Sequence, residues 1–278
     1  MILLLINIGN TNTTVAGFSG GRVVRRVRMS TADGPGSALE AAIRQALGRG
    51  IPAGAVVGST VPARVSSWRR ALKRCGFPGA PLEVSPALDP GFPVPYAGRA
   101  SLGADRLADV CGGVARYGRP LIVVDIGTAA TVNVVTRKGF VGGVILPGPS
   151  LFLRAMADGT AQLPRLRPGP PAARRIGRTT EESMRIGATA GFSAMLSGLI
   201  RDVRREAGGA RIPVVITGGG AARMKLDVAA PLWHDADLTF FGLAGLYALN
   251  RPDRGKKRVP VVVSRRIIIK RKRPQDEP

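Results

Sequence analysis

Residues 2–14 read Ile-Leu-Leu-Leu-Ile-Asn-Ile-Gly-Asn-Thr-Asn-Thr-Thr, and residues 121–132 read Leu-Ile-Val-Val-Asp-Ile-Gly-Thr-Ala-Ala-Thr-Val. Each opens on a run of aliphatics, Ile2 to Ile6 in one and Leu121 to Val124 in the other. Each then passes through a polar residue, an Ile and a Gly into hydroxyl side chains. This is the layout of a strand turning tightly so that backbone N–H groups and Thr hydroxyls face a phosphate. The two cassettes differ at their polar opening: an amide, Asn7, in the first and a carboxylate, Asp125, in the second.

Around the cassettes, short β-rich runs alternate with Ala- and Arg-rich helical stretches, which predicts an α/β fold. In the first half, Val15–Phe18, Arg22–Met29 and Ala55–Ser59 read as strands, and Ala38–Leu47, Val65–Cys75 and Leu107–Tyr117 as helices. Pro78–Pro95 is Pro-rich and irregular. The order then restarts with strands at Leu121–Asp125, Val132–Thr136 and from Phe140 into the Gly-rich turn at Gly148. Leu151–Ala157 reads as a helix, Pro164–Arg175 as a Pro/Arg loop, Glu181–Glu206 as one long helix and Leu238–Asn250 as a closing helix. Pro213–Ile216 is a buried strand that opens into Thr217-Gly218-Gly219-Gly220. The restart divides the chain into an N-terminal half over 1–118, a C-terminal half over 119–250 and a tail over 251–278.

At 278 residues with 45% hydrophobic residues, the chain is long enough for two domains with ordinary cores. Two cysteines, Cys75 and Cys111, are too few for a disulfide framework and wrongly spaced for zinc. A reducing cytoplasm is therefore the expected compartment. No stretch approaches the length of a membrane span, so no membrane partner is expected. A single histidine, His234, argues against His-based acid–base chemistry. The formal charge of +23 attracts anions such as nucleotides or nucleic acid. From Arg251 onward eleven basic residues face three acidic ones, clustered as Lys256-Lys257-Arg258 and Lys270-Arg271-Lys272-Arg273. In this tail Val261–Val263 and Ile267–Ile269 flank Arg265-Arg266, a pattern compatible with a short hairpin on a mobile appendage.

Two matched strand–turn units half a chain apart, with a third Gly-rich turn after a late strand, define a nucleotide cleft between related halves. Between them lies Gly103-Ala104-Asp105-Arg106, which alone reads in two ways. The Asp can interact with the dipole of the helix it begins. Facing a γ-phosphate, it can instead take the acceptor's proton while the guanidinium holds an anionic substrate. Asp109, one helical turn on, shares the face of Asp105 and either supports the base or neighbours the metal.

With these segments in order, the chain resembles the type III pantothenate kinases of the actin/Hsp70/acetate-kinase superfamily. The match rests on the Asn7–Thr13 cassette, Gly103–Arg106, Asp125–Ala129, Gly142-Gly143-Val144-Ile145-Leu146-Pro147-Gly148 and Thr217-Gly218-Gly219, and spans about residues 1–250. The resemblance implies two ribonuclease-H-like halves around an ATP cleft and ATP-dependent phosphorylation of pantothenate to 4′-phosphopantothenate, the opening step of coenzyme A synthesis. It implies Asp105 as general base and a pantothenate site of Tyr96, Gly103, Ala104, Asp105, Arg106 and Thr180, with Arg106 on or near the substrate carboxylate. Thr180 would reach in from the partner subunit of a homodimer. ATP phosphates would meet Asn7, Ile8, Gly9, Asn10, Thr11, Asn12, Thr13 and Thr14 in the first loop and Thr128 in the second. The late Gly-rich turn would take the adenosine. Asp125 would hold a monovalent cation, K⁺ or NH₄⁺, and Mg²⁺ would accompany the nucleotide. Read locally, Tyr96 between Pro95 and Ala97 can simply pack, and Thr180 before Glu181 and Glu182 can simply cap a helix.

The chain departs from the family pattern at Asn7 and Asn133, where the family carries Asp. Loss of one preorganised charge near a transferring phosphoryl group costs roughly 3 kcal/mol, or about a hundredfold in rate. Two readings stay open on the sequence: a working, slow kinase, or an impaired family member acting as a nucleotide- or nucleic-acid-binding regulatory protein. Nucleic acid would enter only through the basic tail, since aromatics are 5% and no recognition-helix or RNP-like motif is present.

Overall fold

In the computed structural model, which describes residues 1–32, 36–170, 174–229 and 231–251, both aliphatic runs form the middle strand of a five-stranded sheet. The first sheet contains β1 (Ile2–Ile8), β2 (Asn12–Ser19), β3 (Arg22–Ser30), β4 (Pro52–Ser59) and β5 (Leu82–Glu83), ordered β3-β2-β1-β4-β5. The second contains β6 (Leu121–Ile126), β7 (Ala129–Thr136), β8 (Gly139–Pro147), β9 (Val214–Thr217) and β10 (Leu232–His234), ordered β10-β9-β6-β7-β8. The second order is the first read from its other edge. In each sheet three strands form an antiparallel meander, and two more add in parallel beside the middle strand. The duplication read from the cassettes is thus present strand for strand.

The middle strands are continuous aliphatic runs because both of their faces are covered. Leu4, Ile6 and Ile8 pack on the side of α1 (Gly36–Leu47) and α2 (Pro62–Arg74), together with Ile43, Trp68 and Leu72. On the second sheet Ile122, Val124 and Ile126 meet α6 (Phe192–Glu206) through Phe192, Leu196 and Ile200. The opposite faces, with Leu5 on β1 and Leu121 and Val123 on β6, share one central core. Its filling is α3 (Ala104–Tyr117) and α7 (Leu238–Asn250), which lie between the sheets. Each fully buried Leu, Ile or Val contributes about 1.5–3 kcal/mol. The helices cross closely through glycines: a Cβ on Gly112 would overlap the Leu238 carbonyl, and one on Gly242 the Ala108 carbonyl.

Three contacts fasten this central layer. Arg116 pairs with the buried Asp235 at 3.1 Å, and the Tyr117 hydroxyl donates to the same carboxylate at 3.0 Å. Asn250 at the end of α7 exchanges hydrogen bonds with the backbone of Asp89 at 2.8 and 2.9 Å.

The expected long helix over Glu181–Glu206 is corrected in one respect. It begins as α5 (Thr180–Ile186), loosens into a π-helical turn over Gly187–Gly191, and resumes as α6. Glycines at both ends of the turn are weak helix formers, and the Thr189 hydroxyl donates to the Arg185 carbonyl at 2.7 Å. A separate helix, α4 (Pro149–Asp158), packs Leu153 against Met184 and Ala188 of this segment. The tail after Arg251, with its basic clusters and the Val261–Val263 and Ile267–Ile269 runs, lies outside the described residues.

Candidate active site

Strand alternation decides which way the two cassettes point. Asn7 continues the face of Leu5, and Asp125 continues the face of Leu121 and Val123, so both look toward the central helices. Asn7 sits opposite Thr14 in the first ladder, and Asp125 opposite Thr131 in the second. Each turn is closed by the glycine N–H: Gly9 donates to Asn12 and Gly127 to Ala129, both at 3.0 Å. The tips then meet, with the hydroxyls of Thr11 and Thr128 2.9 Å apart.

The space below these tips is a cleft of about 480 Å³. Its walls include Asn7, Gly9, Asn10, Thr11, Asn12 and Thr14 from one half and Asp125, Thr128 and Thr131 from the other. Asp105 and the Thr217–Gly220 turn complete it. That turn needs its glycine: Gly218 has φ +92°, and a Cβ there would overlap the Asp125 carboxylate. Ile8 and Thr13 of the first cassette turn inward instead, Ile8 into the core and Thr13 onto the Thr31 hydroxyl at 2.9 Å. A wider groove of about 810 Å³ runs between β7–β8 and the end of α6, and contains none of the expected site residues.

Carboxylates crowd the floor of the cleft. Asp105 lies in the first turn of α3 and accepts from the Arg106 N–H at 2.8 Å, a position favoured by the helix dipole. Gly103 makes room for that rotamer, since a Cβ there would strike the Asp105 oxygen. Burial and then the nearby Asp105 charge push Asp125 up to about 7. Asp109, fully buried, is driven well above the usual carboxylate range by burial and then by Asp125, against the opposing hydrogen bond from Thr239 at 2.6 Å. Burial likewise raises the Cys111 thiol, which argues against thiolate chemistry there.

A second group of expected residues gathers beside this floor. Arg106 is buried, its guanidinium flanked by the rings of Tyr96 and Phe140 at 5.6 and 5.5 Å. Its Nε donates to Asn133 at 2.7 Å, and Gly142 backs onto the Tyr96 ring. Ala104 is buried at the start of α3. Thr180 is exposed and does not line the cleft. The local capping expectation for Thr180 is corrected: Thr179 is the cap, its hydroxyl accepting from the Glu182 N–H at 3.1 Å.

The structure also adds residues that the sequence reading passed over. Arg26 and Arg28 on β3 line the cleft, as do Thr239 on α7 and Thr189 in the π turn. The signal for the arginines was the ladder register, which puts Arg28 opposite Thr14 and Arg26 opposite Ala16. Arg26 is held there by an ion pair with Asp237. Asn133 shares the helix-facing side of β7 with Thr131, a period-two relation visible in Thr131-Val132-Asn133.

Two duplicated sheets closing over this cleft define a two-domain α/β fold. Solved structures agree at the level of fold. A ROK family glucokinase from Streptomyces griseus, in complex with glucose and AMPPNP, aligns with TM-score 0.51 at 11% identity, covering 90% of this chain and 99% of that one. The ethanolamine utilization protein EutJ from Carboxydothermus hydrogenoformans aligns with TM-score 0.50 at 13% identity, covering 90% of each. The family model for type III pantothenate kinase matches residues 3–202. A type III pantothenate kinase from Acidothermus cellulolyticus is 36% identical over 91% of this chain and its own full length. Another, from Thermomicrobium roseum, is 36% identical over 88% of this chain and 96% of its own. The chain belongs to the type III pantothenate kinase family.

Proposed function

We propose that the protein transfers the γ-phosphoryl group of ATP to the primary hydroxyl of pantothenate, yielding 4′-phosphopantothenate and ADP at the entry to coenzyme A synthesis. The observation that carries this reading is Asp105 at the floor of the cleft, directly followed in sequence by a buried Arg106. In the proposed mechanism the hydroxyl oxygen attacks the γ-phosphorus, the bond to the β–γ bridging oxygen breaks, and the hydroxyl proton passes to Asp105. Arg106, between Tyr96 and Phe140, binds the pantothenate carboxylate and so aims the hydroxyl. Backbone N–H groups of both tips, with Thr11 and Thr128, take the phosphates. Arg28 adds positive charge on the same wall.

The donor set fits a metal that travels with the nucleotide. Among the described residues no group of three or more His, Cys, Asp or Glu side chains is arranged to hold a metal by itself. Mg²⁺ keeps several waters and takes nucleotide phosphates readily, so it would be held chiefly by the phosphates and water, leaving Asp105 and Asp125 to their own roles. When bound, it neutralises charge on the transferring group. Asp125, wedged against Gly218, is assigned the monovalent cation.

A homodimer with Thr180 donated across the interface completes the proposal. Its supports are the exposure of Thr180, its freedom from the capping role, and exposed apolar side chains at Ile145 and Ile176. A cytoplasmic location is consistent with the free thiols Cys75 and Cys111. No helix among the described residues is long and apolar enough to cross a membrane.

Purified protein supplied with ATP, Mg²⁺, K⁺ and pantothenate is expected to form 4′-phosphopantothenate, identified by mass, and Asp105→Asn is expected to remove it. Absence of product from the parent protein with either K⁺ or NH₄⁺ overturns the assignment.

A further inference from the structure

The first sheet lays a row of side chains across its cleft face. Asn7 of β1 sits opposite Thr14 of β2, and Thr14 sits opposite Arg28 of β3, so the row ends in a cation. All three line the cleft. The corresponding row of the second sheet runs through Asp125, Thr131 and Ile145 and ends in an exposed apolar side chain. Arg26, two residues earlier on the same face of β3, is held by Asp237 and lies 5.3 Å from the centre of the Phe240 ring. Arg28 has no such tie: among the described residues it makes no ion pair and no hydrogen bond.

The reach of Arg28 is nevertheless defined. Its guanidinium crosses from the first half to the Thr217–Gly220 turn of the second, where a Cβ built on Gly219 would lie 3.6 and 3.7 Å from its two terminal nitrogens. That turn is a firm counter-surface. On one side of Gly219, Gly218 is wedged against the Asp125 carboxylate. On the other, the Gly220 N–H donates to the Ile126 carbonyl at 2.8 Å. Three consecutive glycines offer the guanidinium no charged partner, so an unpaired cation rests over bare backbone. A phosphate chain entering the cleft supplies what the turn does not, because the planar fork of an arginine matches phosphate oxygens.

We propose that Arg28 is a donor-positioning residue. Its guanidinium bonds phosphate oxygens of the nucleotide and holds them against the Thr217–Gly220 turn. The two halves then close on the donor through a charge that β3 supplies. The cassette tips hold the same phosphates from their backbone N–H groups, and Arg28 fixes the chain from the side. The inference rests on the reading of this cleft as the ATP site.

The test joins steady-state kinetics of the full chain to calorimetric binding of AMPPNP with Mg²⁺, which needs no turnover. Arg28→Ala is expected to raise the KM for ATP about tenfold or more, the scale of one charge-assisted hydrogen bond, and to weaken AMPPNP binding by the same factor. The KM for pantothenate is expected to stay within about threefold. Arg28→Lys, which keeps a charge without a plane, is expected to recover most of the loss, and Arg28→Gln, which keeps a plane without a charge, is not. Arg25→Ala removes the same charge from the other face of β3, where Arg25 packs beside Gly48, and is expected to leave the KM for ATP within about threefold. An ATP KM and an AMPPNP affinity both unmoved in Arg28→Ala overturn the inference. Recovery by Gln but not by Lys would put the guanidinium against the base and overturn it as well. Equal rises in both KM values with a lowered Tm would make Arg28 merely structural. If the parent protein does not phosphorylate pantothenate yet binds AMPPNP through Arg28, the proposed function fails and this inference stands.

Discussion

The two cassettes share a backbone and differ in charge. Both end a middle strand, both turn on a glycine whose N–H closes the loop at 3.0 Å, and both send their polar opening residue toward the central helices. The first tip is one residue longer, since Ile8 pairs with Thr13 whereas Ile126 pairs with Ala130. The first opens on Asn7 and the second on Asp125. Asn7 lines the same cleft as Asp105 and Asp125, and that cleft is already strained electrostatically: Asp125 is pushed up to about 7 and Asp109 well above its usual range. A further carboxylate at position 7 would add like charge to a group that already resists ionising. The asymmetry therefore looks less like a missing part than like a division of labour, with the charge kept on the second cassette and on α3.

If that division holds, the largest loss comes from the residue between the cassettes. Asp105→Asn should lower kcat by about a thousandfold, within the usual range for a general base, and leave the KM for ATP near its parent value. A variant retaining a tenth of the parent rate would move the base elsewhere and break the comparison at its centre. Next comes Asp125→Asn, expected to cost about tenfold to a hundredfold in kcat and to remove the response to K⁺. Rates measured with and without added K⁺ decide it, and an undiminished K⁺ response in the variant would unseat the assigned cation site.

These expectations were partly legible in the sequence, for physical reasons. The middle strands announced themselves because burial on both faces demands unbroken aliphatic runs, and the tips because a Gly followed by hydroxyls, repeated in both halves, suits a phosphate turn. What escaped were contacts made by chain segments far apart. Nothing local to Arg26 or Arg28 says that β3 walls the cleft; that follows from pairing with β2. The partner of Arg106 is 27 positions away on β7, and at the sequence level Asn133 registered only as a departure from the family pattern. The π turn lay hidden inside a helical pattern because glycines at 187 and 191 weaken a helix without announcing how it yields. Short β5 and β10 carry too few residues to show a period at all.

The comparison is sharpened by making the cassettes alike. Asn7→Asp restores the charge that the family pattern would put there. A crowded cleft predicts a gain in kcat smaller than about tenfold, well short of the hundredfold that one preorganised charge can supply. A gain near a hundredfold would mean that the first cassette is catalytically deficient as it stands.

The smallest effect concerns Asp109, which neither cassette supplies. Its folded-state pKa lies above the unfolded value of about 4, so between those values the folded chain binds more protons than the unfolded one. Stability then falls as pH rises through that window: the penalty is absent in acid and complete once Asp109 ionises in the fold. Asp109→Asn keeps an oxygen to accept from Thr239 and removes the ionisation. The variant should be more stable than the parent at pH 8, read as a higher Tm, with the advantage shrinking toward zero near pH 4. Thermal melts across that range provide the check. A Tm difference that does not change with pH would show that the carboxylate is not held against its charge, and would weaken the case that crowding at this floor is what makes Asn7 tolerable.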